Sequence, residues 1–461
     1  MSSHLKMQLN TKFILDIIVT LLISASLLNG TNLHAEEPPP PGDMEQSEYR
    51  GIMKNLKKGI WIPYANWNLY VKEGFRIDSP GKNFTLKINL SVMADGGYIS
   101  ADEELETAFP DLEGPSFDFR WLRLTGFGTI YDWAQFKLDI DFANIRDVKD
   151  NYIRLTKLPL IGFLTLGHMK EPFSLEAWAG LKAVTFMERA LPVNAFAPGR
   201  NFGIRYYRST LDQLLTWGVG AYLNTGSFGS VGDTRNQLSE ANGWNLTGRI
   251  TYRAQYEDEG RRLMHLGFSY THRFRNESDP DFRVVSRVRP ETRLSDDRLV
   301  DTGEFLTDGA GVFNPELAYV KGPISFQGEY FHVFNDSEPE NDPTFWGFYL
   351  YGSYFLTGEH RHYGRRAGTF FRLQPNQDFH FRQGGWGAWE LATRFSLIDL
   401  NDEGIRGGKE ANFTAGLNWY LNLKMRFMLN YIRAKVKNRA TSPSVGSGDA
   451  HIFQARFQFE F

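Results

Sequence analysis

Six arginines stand at polar positions of segments in which polar and apolar residues alternate. A guanidinium keeps its charge at any physiological pH, and its planar fork of N–H donors matches the oxygens of phosphate. A series of such groups along one wall would pass a hydrated anion from site to site, provided that each binds it weakly. These residues therefore predict an anion path; they are Arg205, Arg249, Arg253, Arg273, Arg394 and Arg456.

The sequence also allows a purely structural role for these arginines. Carboxylates occupy polar positions of similar segments, among them Asp139, Asp141 and Glu329. Glu390 and Arg394 lie four residues apart on the same side of one segment. Under this alternative the arginines pair with carboxylates and set no selectivity, although exposed ion pairs are individually weak.

The segments that must position these side chains have the two-residue period of a β-strand. In residues 453–461 every second residue from Phe453 to Phe461 is apolar, and the residues between them are polar or charged. A strand sends alternate side chains to opposite faces. In a soluble sandwich the apolar face is the core, whereas in a transmembrane barrel it meets lipid and the polar face lines water.

About sixteen segments of this kind follow one another between Tyr70 and the terminal Phe461, an even number as in bacterial barrels. The fold class expected is all-β, a transmembrane antiparallel β-barrel. The composition agrees, because 15% of residues are aromatic and 23% are charged. The formal net charge is only −3, so any anion preference must come from the local placement of Arg and Lys.

The beginning of the chain has the pattern of an exported protein. Two lysines precede a short apolar run, and Ala35 is a small residue suited to a cleavage site. We predict a signal peptide at 1–35, a Pro-rich linker and N-terminal segment at 36–69, and the barrel at 70–461. A membrane anchor is the alternative to the signal, but the run is shorter than the roughly 20 residues that span a bilayer.

Connection lengths predict an orientation and a constriction. Short connections are expected at the periplasmic side and long polar ones outside, including 358–383 with its basic residues Arg361, Arg365 and Arg366. The stretch Pro172 to Asn201 is partly apolar and is expected to fold into the lumen, with an external cap as the alternative. Lys170 and Arg189 lie at the two ends of the loop motif and would then flank the narrowest point.

Several motifs resemble those of the phosphate-selective porin O/P family of bacterial outer-membrane anion porins. They are GHMKEPFSLE at 167–176, TFMER at 185–189, YFLTGE at 354–359 and GWGAWELATRFS at 385–396. FDFRWLRL at 117–124 resembles the family's arginine-bearing second strand. Strict alternation directs Arg120 to the lumen and Arg123 to the other face. The resemblance implies about sixteen strands, a trimer, an inward third loop and internal arginines that select anions.

The function expected is that of a passive porin in the bacterial outer membrane that prefers phosphate or other small oxyanions. Its partners would be small inorganic anions, outer-membrane lipid and two further copies of the chain, with no nucleic acid. The alternatives are a general diffusion porin and a plugged structural or enzymatic barrel. No enzymatic activity, cofactor or metal is expected, since the histidines lack metal-ligand spacing and there is no GxSxG-type turn.

Overall fold

The structure, a computed structural model, describes residues 60–64, 67–71, 74–143, 147–158, 162–210, 212–224, 243–276, 282–382 and 384–461. The predicted signal peptide at 1–35 lies outside the described residues. The same is true of the predicted linker at 36–69, apart from 60–64 and 67–69. These two pieces belong to strands that precede the barrel wall.

The described residues are mainly β-strand. The barrel strands are β4 (Phe84–Ala101), β5 (Gly114–Ile130), β6 (Ala134–Asp141), β7 (Asp147–Leu158), β8 (Gly162–Lys170), β9 (Arg200–Ser209), β10 (Leu215–Leu223), β11 (Gly243–Glu257), β12 (Arg262–Arg275), β17 (Gly309–Lys321), β18 (Ile324–Asp336), β19 (Thr344–Phe355), β22 (Ala388–Asp402), β23 (Ile405–Asn422), β24 (Met425–Arg439) and β25 (Val445–Glu460).

Smaller elements precede or connect these strands. The strands are β1 (Ile60–Tyr64), β2 (Trp67–Val71), β3 (Phe75–Asp78), β13 (Arg283–Val284), β14 (Arg287–Val288), β15 (Val300–Asp301), β16 (Phe305–Leu306), β20 (Tyr363–Gly364) and β21 (Thr369–Phe370). The helices are α1 (Glu103–Ala108), α2 (Leu175–Trp178) and α3 (Leu191–Phe196). Among the described residues, no helix has the length and apolar character needed to cross a membrane.

The wall closes on itself. Nineteen strands form one sheet, and three of them, β1 to β3, extend it beyond the wall, which leaves sixteen barrel strands. The last strand pairs antiparallel with the first, from Ala450 opposite Ala101 to Glu460 opposite Ser91. Phe461 N then donates to Leu90 O at 2.8 Å. Closure removes the unpaired edge that an open sheet would expose, and it confirms the predicted all-β barrel.

The wall is apolar outside and polar inside, the reverse of a soluble core. On β11, Trp244, Leu246 and Ile250 are 44%, 44% and 49% exposed. Between them, Asn245 and Thr247 are fully buried. An exposed apolar band of this kind is stable against lipid.

A β-bulge on β5 changes the predicted orientation of Arg123. Met93 of β4 pairs with Trp121, but the next residue, Ala94, pairs with Phe119, so Arg120 is the extra residue. A bulge adds one residue and shifts the alternation beyond it. Arg120 and Arg123 therefore both face the lumen, and the outward prediction for Arg123 is wrong.

Three connections fold into the barrel and fill much of it. They are the inner loop (171–199, between β8 and β9), the second inner loop (282–308, between β12 and β17) and the plug segment (356–387, between β19 and β22). Phe173 and Phe196 of the inner loop pack on Phe331 of the wall. The predicted inward fold of the constriction loop is thus confirmed.

The plug segment enters from the end opposite to the one predicted. Strand β19 ends at Phe355, beside Pro323 in the two-residue connection between β17 and β18. Residues 356–387 therefore leave the wall among the short turns, and the prediction of 358–383 as an external loop is wrong. The length of this segment suggested an external loop. In an antiparallel barrel, however, successive connections alternate between the two ends, so the number of preceding strands decides at which end a connection lies.

Candidate functional site

A basic chamber of about 600 Å³ lies between the inner faces of β4 to β9 and the segments that fill the barrel. Four carboxylates line it, namely Asp139, Asp150, Glu171 and Glu460. Thirteen cationic side chains line it: Arg120, Arg123, Lys137, Lys149, Arg154, Lys170, Lys182, Arg189, Arg200, Arg205, Arg293, Arg366 and Arg372. The wall and all three inward segments contribute to this set.

Two of the carboxylates are each shared by two cations. Asp150 accepts from Lys137 Nζ at 2.7 Å and from Arg200 Nε at 2.6 Å. Glu460 lies 2.9 Å from Lys182 Nζ and 2.5 Å from Arg372 Nη1. Each group of three retains one positive charge, so these pairs hold the cations in place and cancel only half of their charge.

Three cations are held by carbonyl oxygens, which orient a charge but do not neutralise it. Lys170 Nζ donates to Ala177 O at 2.7 Å and to Ala179 O at 3.0 Å. Arg189 Nη2 donates to the same Ala179 oxygen at 3.1 Å. Arg205 Nη1 donates to Lys170 O at 2.7 Å. The inner loop thus fixes Lys170 and Arg189, and the end of β8 fixes Arg205.

Aromatic rings support further guanidinium groups. Arg123 lies 3.5 Å from the centre of the Trp121 ring, and Arg205 lies 5.0 Å from that of Trp178. A ring face attracts a cation without removing its charge. Stacking therefore restricts the orientation of Arg205 without neutralising it, whereas Arg123 also pairs with Asp141 at 2.9 Å and with Asp139 at 3.7 Å.

Arg293 and Arg366 project into the chamber and form no hydrogen bond or ion pair with the part of the chain that the structure describes. Repulsion by Arg120, together with burial, lowers the pKa of Arg293 to about 10. Burial likewise lowers the pKa of Arg189 to about 10, against the opposing effect of Glu176. Both groups stay protonated near neutral pH, and an anion in the chamber would relieve the repulsion between them and their neighbours.

Four of the nine residues predicted for the site line this chamber, namely Arg120, Arg205, Lys170 and Arg189. The other five lie elsewhere in the lumen. Arg253 donates to Asp212 O at 3.1 Å, near the short-turn end. Arg273 is buried on β12 and attracted by Glu171.

The remaining three predicted arginines clamp the inward segments to the wall. Arg249 makes two hydrogen bonds to Glu316, at 2.8 and 2.7 Å, and a third to Gly368 O of the plug segment. Arg394 binds Glu291 of the second inner loop at 2.6 Å. Arg456 donates to both oxygens of Asp95, each at 2.6 Å. Their surroundings match the structural alternative.

The sequence reasoning missed nine of the thirteen cations. Lys137 and Arg154 occupy polar positions of short strands, so the alternation did carry their signal. Lys149 has the parity of the outward Ile153, and Arg200 has that of the outward Ile204, so strict alternation did not carry theirs. Arg123 was not predicted because the bulge reverses the face on which it lies. Arg366 and Arg372 were not predicted because the plug segment was expected outside the barrel. Lys182 and Arg293 lie in loops whose path follows from tertiary packing alone.

Glu188 anchors the inner loop beside the chamber. Arg120 donates to both of its oxygens, and Arg456 Nη2 donates to Oε1 at 2.7 Å. Burial raises the pKa of Glu188, but Arg120 and Arg456 outweigh it, so the pKa lies below its usual value. Glu188 is therefore ionised at neutral pH and neutralises part of the charge of two arginines.

Glu188→Gln is expected to weaken the loop anchor and to increase anion preference. Removing one partner of a buried ion pair costs about 3–5 kcal/mol, which a denaturant titration of the reconstituted protein would measure. The lost negative charge should shift the reversal potential further towards that of chloride. Asp132→Asn is the control, because Asp132 pairs with Lys157 at an exposed turn. Equal stability of the two variants would contradict the anchoring role.

Most of the chain has clear relatives. Residues 92–461 match the family described as phosphate-selective porin O and P. The chain belongs to this family. Porin O of Pseudomonas aeruginosa is 24% identical over 435 residues, which cover 84% of this chain and 91% of that protein. An uncharacterised protein of Caulobacter vibrioides is 30% identical over 324 residues, which cover 69% of this chain and 62% of that protein.

The fold has a solved counterpart. A loop-deletion mutant of OmpT, an outer membrane protein of Vibrio cholerae, superposes with a TM-score of 0.50 at 11% identity. The superposition covers 82% of this chain and 100% of that one. This porin is thus a barrel of the bacterial outer membrane. Its short-turn end is the periplasmic end and its long-loop end the external end.

Proposed function

We propose that this porin is a passive channel that prefers small anions, with phosphate and other small oxyanions as its main solutes. The observation that supports this most directly is the chamber lining, with thirteen cations against four carboxylates. Low dielectric in a narrow lumen strengthens each of these charges relative to bulk water. A potassium ion entering the chamber would be repelled, whereas an oxyanion would be stabilised.

The arrangement of the cations suits oxyanions in particular. Guanidinium groups offer paired N–H donors that match adjacent oxygens of one phosphate. Arg293 and Arg366 have their donors free within the described residues, and Lys170 and Arg189 lie at the base of the inner loop. A solute could therefore exchange one charged donor for the next. Release remains possible because no single cage encloses it.

A general diffusion porin is the second candidate, favoured by the size of the chamber. A volume of about 600 Å³ exceeds that of one hydrated phosphate and could admit larger solutes.

The proposed channel catalyses no chemical step. Among the described residues, no group of three or more His, Asp or Glu side chains could hold a metal ion.

We also propose that the porin is a homotrimer. The height of the wall is smallest at β6, β8 and β10, which have 8, 9 and 9 residues, whereas β23 has 18. At a rise of about 3.4 Å and a tilt of about 40°, eight residues span roughly 21 Å, less than the apolar band of about 25 Å. A partner subunit would cover such a wall better than lipid.

Reversal potentials in planar bilayers test the proposed function. Under a potassium chloride gradient, the reversal potential should lie near that of chloride, and added phosphate should reduce the chloride current. Both results follow if the chamber concentrates anions and retains phosphate longer than chloride. A reversal potential near zero would instead support the general diffusion porin, and the absence of any conductance would support a plugged barrel.

A further inference from the structure

Four cations on the outside of the barrel form a patch that the conduction pathway does not use. This outer cation patch consists of Lys409 on β23 and of Arg433, Lys435 and Lys437 on β24. On β24 these residues continue the outward series of Phe427, which is 41% exposed, and Leu429, which is 54% exposed. Their side chains therefore face the membrane side of the wall, where a solute in the lumen cannot reach them.

The patch is only partly neutralised. Asp449 lies 3.2 Å from Arg433 Nη2 and 3.3 Å from Lys435 Nζ. Asp399 lies 3.2 Å from Lys409 Nζ. Lys437 makes no ion pair or hydrogen bond within the described residues. Two carboxylates thus pair with three of the four cations, and Lys437 keeps an unpaired charge on a surface that should otherwise be apolar or aromatic. Glu104 lies beyond the patch at the external turn, where its carboxylate accepts from Ser447 N, and Ser447 pairs with Lys437.

The external part of the patch, which comprises Lys409, Lys435 and Lys437, lies at the height of lipid head groups in the external leaflet. Trp389, Trp419 and Phe427 stack in a row near the periplasmic end and mark one boundary of the apolar band. From Phe427 to Lys435 is roughly 27 Å along the strand, or about 21 Å in height at a tilt of about 40°. The apolar band is about 25 Å tall, so Lys435 and Lys437 reach its external boundary.

Other sectors of the wall carry aromatic residues near the same boundary. Trp244 and Phe274 stack there at 4.1 Å on β11 and β12. Along one row of directly paired residues, the outward side chain changes from Trp346 to Asp399, Lys409 and Lys437. Lys409 Nζ lies 5.4 Å from the Trp346 ring, where the aromatic sector meets the patch. The cations therefore replace an aromatic girdle locally.

We propose that the outer cation patch binds the phosphorylated head groups of glycolipid in the external leaflet. Anionic head groups attract basic residues at a membrane surface. Lys409, Lys435 and Lys437 present their charge at that level, whereas Arg433 pairs directly with Phe413 and lies nearer the acyl chains. Ammonium and guanidinium groups are the donors that phosphate monoesters accept. The lipid would be retained as a specific annular ligand of one sector of the barrel.

The test uses the full-length porin in phosphatidylcholine nanodiscs, titrated with diphosphorylated lipid A and followed by native mass spectrometry. Replacing all four residues by Gln should weaken lipid A binding by roughly tenfold or more. The control replaces Lys82, Lys157, Arg262 and Lys321, which lie at the periplasmic end, by Gln and should bind as the parent does. Lys437→Glu alone should also weaken binding, because it replaces a positive charge of the patch by a negative one. The change breaks no ion pair, since the Lys437 side chain has none within the described residues.

Three outcomes would overturn the proposal. They are unchanged binding by the four-residue variant, an equal loss in the periplasmic control, and displacement of lipid A by inorganic phosphate at equal concentration. Single-channel conductance should remain that of the parent in every variant, which separates this proposal from that of anion transport. If the variant instead loses its oligomeric state while lipid binding per chain is unchanged, the patch is a contact between subunits.

Discussion

Replacing Arg293 and Arg366 together by Glu is expected to lower the chloride-to-potassium permeability ratio by about tenfold or more. These two side chains project into the chamber and form no hydrogen bond or ion pair within the described residues, so their charge acts on the permeating ion directly. Because they anchor nothing in the described structure, the barrel should remain folded. Reversal potentials under a potassium chloride gradient would measure the change, and phosphate should no longer reduce the chloride current.

Arg365→Glu is the matched control for this experiment. Arg365 is the sequence neighbour of Arg366, but it lies over the Tyr256 ring, at 5.4 Å, and does not line the chamber. The same change of charge should therefore have a much smaller effect. If Arg365→Glu alters selectivity as strongly as the double replacement, the net charge of the channel mouth governs selectivity and the chamber does not.

The arginines that clamp the inward segments should respond differently from those of the chamber. Arg249 is buried and bonded to Glu316 and to the plug segment, so its loss leaves the buried Glu316 carboxyl group without its arginine. Leaving a buried charge without its partner is strongly destabilising. The two classes of arginine are therefore separable, because one changes selectivity and the other changes folding yield.

The barrel could be predicted from the sequence because the same alternation of apolar and polar residues governs its strands. Outward residues such as Trp244 and Leu246 must meet lipid, and their inward neighbours must meet water or polar loops, so the alternation is visible without any tertiary information. The same rule fails at Arg123, since one inserted residue at a bulge reverses the two faces. A bulge arises from the pairing of two strands and has no single-strand signature.

The site was less predictable than the fold for a related reason. An arginine on the inner face can stabilise a loop or face the solute, and its own strand does not distinguish the two. Arg456 and Arg120 both bond to Glu188, yet only Arg120 lines the chamber. The decisive information is the path of three long connections, whose packing depends on contacts between residues far apart in the sequence.

Deleting the tip of the plug segment, residues 363–370, is expected to raise single-channel conductance by about twofold or more, because it removes material from the lumen. Phe371 N donates to His362 O at 2.9 Å, so two glycines can join these ends without moving the strands. The tip contacts the inner loop through Ala367 O, which accepts from Trp178 Nε1 at 3.1 Å.

The deletion also removes Arg366, so selectivity and conductance should change in opposite directions. A wider lumen screens the remaining cations more effectively, and anion preference should fall as the current rises. Replacing Phe381 and Arg382 by Ser is the control, because both side chains are exposed, Phe381 to 93%. Conductance that stays at the parental level after removal of 363–370 would place the rate-limiting constriction at the inner loop, where Lys170 and Arg189 converge on Ala179 O.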